Sequence, residues 1–166
     1  RTGRQVPIQC SVTLDPTGRM LLGTDIRGAL ATLEAMGADV IGLNCSTGPE
    51  DMRDAIRFLG EHCPVPVHCV PNAGLPQQGP DGETIFPEEP EPLAATLGEF
   101  VERHGVGIVG GCCGTTPDHI RAIRERVEGK VPGERPEPGP PEVSSMMTST
   151  PLVQEPRPTL VGERVN

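Results

Sequence analysis

Cysteines at the predicted ends of two separate strands are the residues of this sequence best suited to metal chemistry. Cys45 follows one apolar run, and Cys112 and Cys113 follow another, 67 positions later, inside the glycine-rich stretch 110–114. Thiolates are common ligands of zinc, which takes four tetrahedral ligands and keeps one position open in catalytic sites. Adjacent strand residues point to opposite faces, so the flanking glycines must let the backbone turn if both Cys112 and Cys113 are to reach one ion. The pattern predicts a three-cysteine zinc site with one open position.

Two other interpretations of these three thiols stay open at this point. Cysteine is among the most often buried residue types, so all three could be inert core residues. A disulfide from Cys45 to either partner is the second, although a reduced compartment disfavours it. The other cysteines, Cys10, Cys63 and Cys69, do not lie at strand ends and are predicted to pack in the core. His68 and Cys69 are consecutive in a strand and point to opposite sides, which argues against a second metal site.

The elements that must position the thiols are strands and helices in alternation. Four short runs rich in Val and Ile have the composition of strands covered on both faces: Val6–Leu14, Ala38–Leu43, Val65–Val70 and Val106–Val109. A helical pattern follows each run. Four such strand–helix units favour a parallel sheet with right-handed crossovers, whose strand ends share one functional rim. They are too few to close an eight-stranded barrel of about 250 residues. The sequence therefore predicts either a small open sheet or the second half of a barrel.

Helix boundaries are predicted from capping residues. Thr24 is a candidate N-cap for the first helix, which ends at Gly37, and Pro49 opens the second. Thr116 begins the fourth helix, in which His119 is expected to be solvated or capping. The inward-facing positions of the third and fourth helices are predicted to be Leu93, Leu97, Phe100, Val101, Ile120, Ile123 and Val127.

Composition excludes several classes of protein. The chain has 166 residues, about one domain, and 14 basic against 23 acidic side chains give a net charge of −9. This acidity argues against a nucleic-acid partner, which needs a basic surface. No apolar run approaches the roughly 20 residues of a membrane span. Six cysteines fall short of a disulfide scaffold, so a reduced, cytoplasmic protein is expected.

The C-terminal part of the chain has a different composition. Residues 131–166 hold 8 of the 20 prolines and show almost no apolar periodicity, which predicts a semi-rigid, extended linker or a disordered tail. LVGERVN at 160–166 looks like a strand that begins as the chain stops. The chain is therefore interpreted as a piece of a longer protein.

Three motifs resemble the homocysteine S-methyltransferase domain, which cobalamin-dependent methionine synthase and betaine–homocysteine methyltransferase share. They are GLNCSTGP at 42–49, PNAGLP at 71–76 and GGCCGTTPDHI at 110–120. The resemblance covers about residues 6–128. It implies an α/β fold in which residues 1–129 form the C-terminal half, four βα units, of a (βα)8 TIM barrel. Residues 130–158 would then be a Pro-rich interdomain linker, and residues 159–166 the start of a pterin-binding domain.

The same resemblance implies a reaction and a set of ligands. Zinc would be held by Cys45, Cys112 and Cys113, and Asn44 and Asn72 are expected to bind substrate, to orient the ligands or only to stabilise turns. Homocysteine would be methylated to methionine through a zinc-bound thiolate, with the methyl group coming from methylcobalamin and 5-methyltetrahydrofolate. No residue is assigned as a catalytic acid or base. The missing half of the barrel holds part of the substrate pocket, so the fragment is not expected to catalyse alone.

The choice among relatives depends on the tail. LVGERVN resembles the opening strand of the folate domain of cobalamin-dependent methionine synthase, which implies homocysteine, and the folate and cobalamin modules of the same longer chain, as partners. One alternative is a homocysteine methyltransferase that uses betaine or S-methylmethionine. The other is a non-catalytic module whose zinc only stabilises the fold.

Overall fold

A parallel sheet with helices packed on it gives this chain an α/β fold. The computed structural model describes residues 6–153 and residue 155. In chain order the elements are β1 (Gln9–Val12), α1 (Ile26–Ala35), β2 (Val40–Asn44), α2 (Arg53–His62), β3 (Val67–Val70), β4 (Gln77–Gln78), β5 (Thr84–Ile85), α3 (Pro90–His104), β6 (Val106–Val109), α4 (Pro117–Val127), β7 (Glu142–Ser144) and β8 (Ser149–Pro151). The central sheet has the order β1-β2-β3-β6. Each of the four runs predicted as strands overlaps one strand of this sheet.

The core lies between the sheet and the helices. Its largest fully buried side chains include Phe100, Ile41, Leu43, Ile56, Leu59, Leu93 and Leu97. In β1, Val12 is buried while Ser11 is exposed, and in β6, Val106 is buried while Ile108 is 41% exposed. Strands covered on both faces were expected. Within the part of the chain that the structure describes, β1 and β6 are covered on one face only.

Helix α1 begins one residue later than the sequence pattern predicted. The Asp25 carboxylate accepts a hydrogen bond from the Gly28 N–H at 3.0 Å and is the N-cap. The Thr24 hydroxyl instead donates to the Met146 carbonyl at 2.5 Å. The prediction of Thr24 as the cap was therefore wrong, because a distant part of the chain takes its hydroxyl.

Helix α4 begins as predicted but exposes one of its apolar residues. Thr116 is the N-cap, and His119 completes a capping box by accepting from the Thr116 N–H at 3.2 Å. The other ring nitrogen, His119 Nε2, donates to the Glu88 carbonyl at 2.9 Å, so this buried imidazole also holds the loop before α3. Ile123 is buried, whereas Ile120, predicted on the same inward stripe, is 47% exposed.

The segment after α4 contains more structure than an extended linker. Strands β7 and β8 pair as an antiparallel hairpin, which lies against α1. The Ser144 hydroxyl donates to the Gly28 carbonyl at 3.1 Å, and the Asp25 N–H donates to the Met147 carbonyl at 2.9 Å. Residues 160–166, predicted to begin a strand, lie outside the described residues.

Pro49 precedes a short 3-10 turn, Glu50–Met52, and α2 follows directly. In the described part of the chain, no helix combines the length and the apolar character needed to cross a membrane.

Candidate metal centre

Three thiols lie together at the carboxyl rim of the central sheet. Cys45 follows β2, and Cys112 and Cys113 follow β6. Cys45 Sγ lies 3.7 Å from Cys113 Sγ, and Cys112 Sγ lies 3.9 Å from Cys113 Sγ. All three sulfurs are within 4.8 Å of one another. Among the described residues, this is the one group of three or more potential metal-ligating side chains that approach so closely.

Cys45 leaves its strand in a left-handed backbone conformation. The φ angles are 62° at Cys45 and 64° at Ser46, a region that residues other than glycine seldom adopt. The Thr47 N–H donates to the Cys45 carbonyl at 2.8 Å, and the Cys45 N–H donates to the Val70 carbonyl at 3.0 Å. Such conformations cost about 1–3 kcal/mol each and occur mostly where function requires them. The turn therefore has the character of a positioning device for the Cys45 thiol.

A tight loop positions the other two cysteines. The Cys112 N–H donates to the Pro71 carbonyl at 2.7 Å, and the Thr115 hydroxyl donates to the Cys112 carbonyl at 2.7 Å. Gly114 has a φ of 77°, and a Cβ at this position would lie 2.3 Å from Cβ of Phe86. Glycine is therefore required here for both conformation and space. The backbone freedom at Gly114 was predicted from the sequence, and the close contact with Phe86 was not.

Asn72 connects the turn after β2, which carries Cys45, with the loop after β6, which carries Cys112 and Cys113. Its Oδ1 accepts from the Cys113 N–H at 3.1 Å, and its own N–H donates to the Thr47 carbonyl at 3.0 Å. Asn72 is 3% exposed. Asn72 thus holds Cys113 through its side chain and the turn after Cys45 through its backbone, whereas its predicted contact with substrate stays a prediction.

Asn44 has its partners on the neighbouring strand. Its Oδ1 accepts from the Ser11 hydroxyl at 2.7 Å and from the Thr13 hydroxyl at 3.3 Å. Asn44 is half-buried at the end of β2, immediately before Cys45. Its role toward substrate likewise stays a prediction.

The electrostatics of the three thiols favour one negative charge and resist a second. The pKa of Cys45 is lowered, chiefly because the Ser46 N–H hydrogen-bonds its sulfur, with help from the two neighbouring thiols and Asn72. Burial, together with the hydrogen bonds and charge of its neighbours, raises the pKa of Cys112 to about 11. A thiolate at Cys112 beside one at Cys45 is therefore disfavoured near neutral pH unless a cation compensates the charge.

The spacing of the sulfurs matches a tetrahedral zinc site. With Zn–S bonds of about 2.3 Å, the sulfurs of a tetrahedron are about 3.8 Å apart. The two sulfur–sulfur distances of 3.7 and 3.9 Å agree with that edge length. Three soft sulfur donors are also the ligand chemistry that zinc accepts. The residues present therefore fit a three-thiolate zinc site.

The cysteines predicted to be structural are structural here. Cys63 and Cys69 are fully buried, and burial raises the pKa of both thiols. Cys10 is half-buried against the core. The Cys69 thiol contacts the Met52 sulfur at 3.8 Å, on the helix side of the sheet.

Comparison with known families agrees with this site. The family model described as homocysteine S-methyltransferase matches residues 1–127. The chain belongs to the homocysteine S-methyltransferase family.

Two relatives of this homocysteine S-methyltransferase chain are longer proteins. It is 46% identical over 171 residues to the methionine synthase of Mycobacterium leprae (strain TN). It is 44% identical over 166 residues to the methionine synthase of Mycobacterium tuberculosis (strain ATCC 25618 / H37Rv). Each comparison covers 100% of this chain and 14% of the relative. The chain thus spans a small part of the length of the curated relatives that it matches.

A solved structure shares the fold of this family member. The homocysteine methyltransferase MmuM from Escherichia coli, in its oxidized form, superposes with a TM-score of 0.56 at 27% identity. The match covers 73% of this chain and 36% of that one. The apo form of MmuM gives a TM-score of 0.50 at 26% identity. The parallel α/β architecture is therefore that of homocysteine methyltransferases.

Sequence reasoning missed the polar side chains around Asn44. Ser11 in β1 and Thr13 directly after it alternate with buried Val12, and His68 interrupts the apolar run of β3. Polar residues that recur with period two inside an apolar strand are the available indication of a functional face. The left-handed turn at Cys45 has no comparable indication in the sequence.

Proposed function

We propose that this chain is the zinc-binding part of a homocysteine S-methyltransferase barrel within a methionine synthase. The observation that supports it most directly is the convergence of the Cys45, Cys112 and Cys113 sulfurs from two strand ends, at the spacing of zinc ligands. Family membership makes homocysteine the proposed substrate. The three thiols would occupy three ligand positions and leave the fourth for its sulfur.

The residues of this chain have separate tasks in that reaction. Bound zinc would supply a Lewis acid that keeps an added thiol deprotonated at neutral pH. The three cysteines would hold the ion in an electron-rich environment, since their three negative charges exceed its two positive charges. Asn72 would hold Cys113 through its side chain and the turn after Cys45 through its backbone N–H. Asn44, beside Cys45, would contact the substrate.

The domain limits are part of the proposal. Residues 1–129 would form the C-terminal half of a (βα)8 barrel, residues 130–158 an interdomain linker, and residues 159–166 the start of a pterin-binding domain. Four parallel βα units and a family match that ends at residue 127 support the first limit.

Methylcobalamin, methylated from 5-methyltetrahydrofolate, is the proposed methyl donor. Both relatives described above are methionine synthases of which this chain matches 14%, which leaves room for folate and cobalamin modules in one longer chain. Such a protein would act in the cytoplasm.

Zinc binding by the full-length polypeptide tests the proposal. We expect one zinc ion per barrel. X-ray absorption should show three sulfur ligands, all from cysteines, and a fourth sulfur ligand when homocysteine is added. Cys45→Ser should lower zinc affinity by more than the roughly 10- to 100-fold typical of losing an orienting neighbour. Cys10→Ser, which changes a thiol outside the cluster, is the matched control and should leave zinc affinity unchanged.

Two results would contradict the proposal in different ways. If zinc binds but no further sulfur ligand enters with homocysteine, the site is closed and only stabilises the fold. If methionine forms from betaine or S-methylmethionine but not from methylcobalamin, the chemistry stands and the proposed donor is wrong.

A further inference from the structure

The loop between β1 and α1 presents two large apolar side chains to solvent. Leu21 is 99% exposed and Leu22 is 74% exposed. They are the central residues of a turn, which the Gly23 N–H closes by donating to the Met20 carbonyl at 2.8 Å. Met20 packs against the core, so the loop buries one apolar side chain and exposes the next two.

Hydrogen bonds hold this loop in one shape. The Met20 N–H donates to the Thr24 carbonyl at 2.8 Å, and the Arg19 guanidinium donates to the Gly23 carbonyl at 2.7 Å. Because the turn is fixed in advance, a partner that binds the two leucines loses little free energy to ordering the loop. Large apolar side chains that are exposed together on a fixed loop are typical of an interaction surface.

The tip of the β7–β8 hairpin lies against the same loop and adds two exposed methionines. The Thr24 hydroxyl donates to the Met146 carbonyl, and the Met147 methyl group lies over Gly23, where a Cβ would approach it to 3.0 Å. Methionine side chains are flexible and adapt to the shape of a partner. We call this set of four apolar side chains the rim patch: Leu21, Leu22, Met146 and Met147.

The rim patch lies at the same rim of the sheet as the thiol cluster. Its loop leaves the carboxyl end of β1, where the Thr13 hydroxyl donates to Asn44 Oδ1 at 3.3 Å, and Asn44 directly precedes Cys45. A methyl donor that is carried on a protein module must approach this rim to reach a sulfur at the cluster. This chain covers only 14% of each methionine synthase relative, so proteins of that length have room for such a module.

We propose that the rim patch is the surface on which the module that carries the methyl donor docks when it delivers a methyl group. This inference rests on the proposed function, which places the substrate sulfur at the cluster and the donor on another module. A carrier that returns for its next methyl group needs a contact that forms and breaks in every cycle. Four apolar side chains on two turns make a small contact, whereas a permanent neighbour would need a larger apolar area.

Photo-cross-linking in the full-length protein, loaded with zinc and cobalamin, tests this contact directly. p-Benzoylphenylalanine at position 22 reacts with the residues that approach the rim patch, and peptide mapping by mass spectrometry identifies them. We expect cross-links to the module that binds cobalamin. Position 36 is the matched control, because Met36 is also exposed and apolar but lies at the opposite end of α1. Position 36 should give no cross-link to that module.

Single-turnover methyl transfer measures what the contact contributes. In the double variant Leu21→Ser/Leu22→Ser, we expect transfer from protein-bound methylcobalamin to homocysteine to be about 5- to 30-fold slower, as for the loss of side chains central to an interface. Homocysteine affinity and zinc content should not change, because the two leucines lie outside the thiol cluster. Met36→Ser is the control and should transfer the methyl group at the wild-type rate.

Three results would overturn the docking assignment while leaving the proposed function intact. They are cross-links from position 22 only to the preceding half of the barrel or to the folate module, wild-type transfer in the double variant, and loss of zinc in that variant. Failure of the zinc-loaded wild type to bind homocysteine would overturn the proposed function, and this inference with it.

Discussion

Removal of the Arg135 guanidinium should release the segment after α4 from the ends of helices α2 and α3. Arg135 lies in the proline-rich part of the chain, yet it donates to the carbonyls of Leu59, Cys63, His104 and Gly105 at 2.5 to 3.1 Å. These carbonyls lie at the C-terminal ends of α2 and α3, where the last carbonyls of a helix lack intrahelical donors. The Leu59 carbonyl also accepts from the Cys63 N–H at 2.9 Å. A cation there also interacts favourably with the negative ends of both helix dipoles. One side chain thus closes two helices and holds the segment after α4 against their ends.

The magnitude follows from the number and kind of these hydrogen bonds. A hydrogen bond to a charged group contributes about 1.5–3 kcal/mol. The contributions of four carbonyls do not add, because the freed carbonyls bind water at the helix ends. Burial also opposes the charge, and it lowers the pKa of Arg135. We therefore expect Arg135→Met to cost about 2–3 kcal/mol of local stability, which equals about a 30- to 150-fold larger open population.

Native-state proteolysis of the full-length protein measures that population. Glu134 and Glu137 flank Arg135, so a glutamate-specific protease reports on opening at this point, and its cleavage rate follows the open population when closing is fast. Arg135→Lys keeps the charge but not the planar fork of donors and should give an intermediate rate. Arg103→Met, which removes an exposed arginine paired with Glu99, is the control. A wild-type cleavage rate in Arg135→Met would refute this explanation of how the segment is held.

Three further substitutions test the local physics of the fold. Gly114→Ala should destabilise the protein by about 1–3 kcal/mol in urea titration, because of the positive φ of Gly114 and the contact with Phe86. Gly129 has the same φ of 77° but open space around it, so Gly129→Ala should destabilise the protein less. If both cost the same, the contact with Phe86 contributes nothing. Thr116→Ala should lower the free energy of unfolding by about 1 kcal/mol through loss of the α4 cap, and Thr116→Ser should restore that stability. An unchanged urea midpoint in Thr116→Ala would show that the cap is dispensable. Burial lowers the pKa of His68 below its unfolded value of about 6.5. The folded state is therefore favoured most above pH 6.5, and this stability is lost as the pH falls from 6.5 through the lower pKa of the folded state. The melting temperature of His68→Gln should therefore vary less between pH 8 and 5 than that of the wild type. Parallel curves for the two proteins would show that folding does not lower the pKa of His68.

The fold was predictable from the sequence where local pattern and burial agree. Val106–Val109 was predicted as a strand and is one. Thr116 caps α4, as its position directly before Pro117 indicates. Prediction failed where a distant residue decides the local structure. Thr24 has the right side chain for an N-cap, but the hairpin occupies it. Arg135 carries no indication of its role, because its partners are carbonyls at the ends of two helices far away in the sequence.

The candidate site was also predictable only in part. The residue types and the strand ends of the three cysteines could be predicted, since parallel strands bring their carboxyl ends to one rim. The orientation of Asn44 could not, because it depends on the register that places Ser11 opposite Gly42 and Val12 opposite Leu43. Only that pairing brings Ser11 and Thr13 to the same amide oxygen.

The backbone around the cysteines links three strand ends into one unit. The Asn72 N–H donates to the Thr47 carbonyl, the Cys113 N–H donates to Asn72 Oδ1, and the Ala73 N–H donates to the Cys113 carbonyl. These hydrogen bonds tie the turn after β2 and the loop after β6 to the end of β3. They can offset the cost of the left-handed residue Cys45, because breaking the turn would also free buried polar groups of Asn72. The sulfur positions are thus determined by hydrogen bonds between strand ends. A substitution of the Asn72 side chain should displace Cys113, while the backbone hydrogen bond from Asn72 to Thr47 continues to hold the turn that carries Cys45.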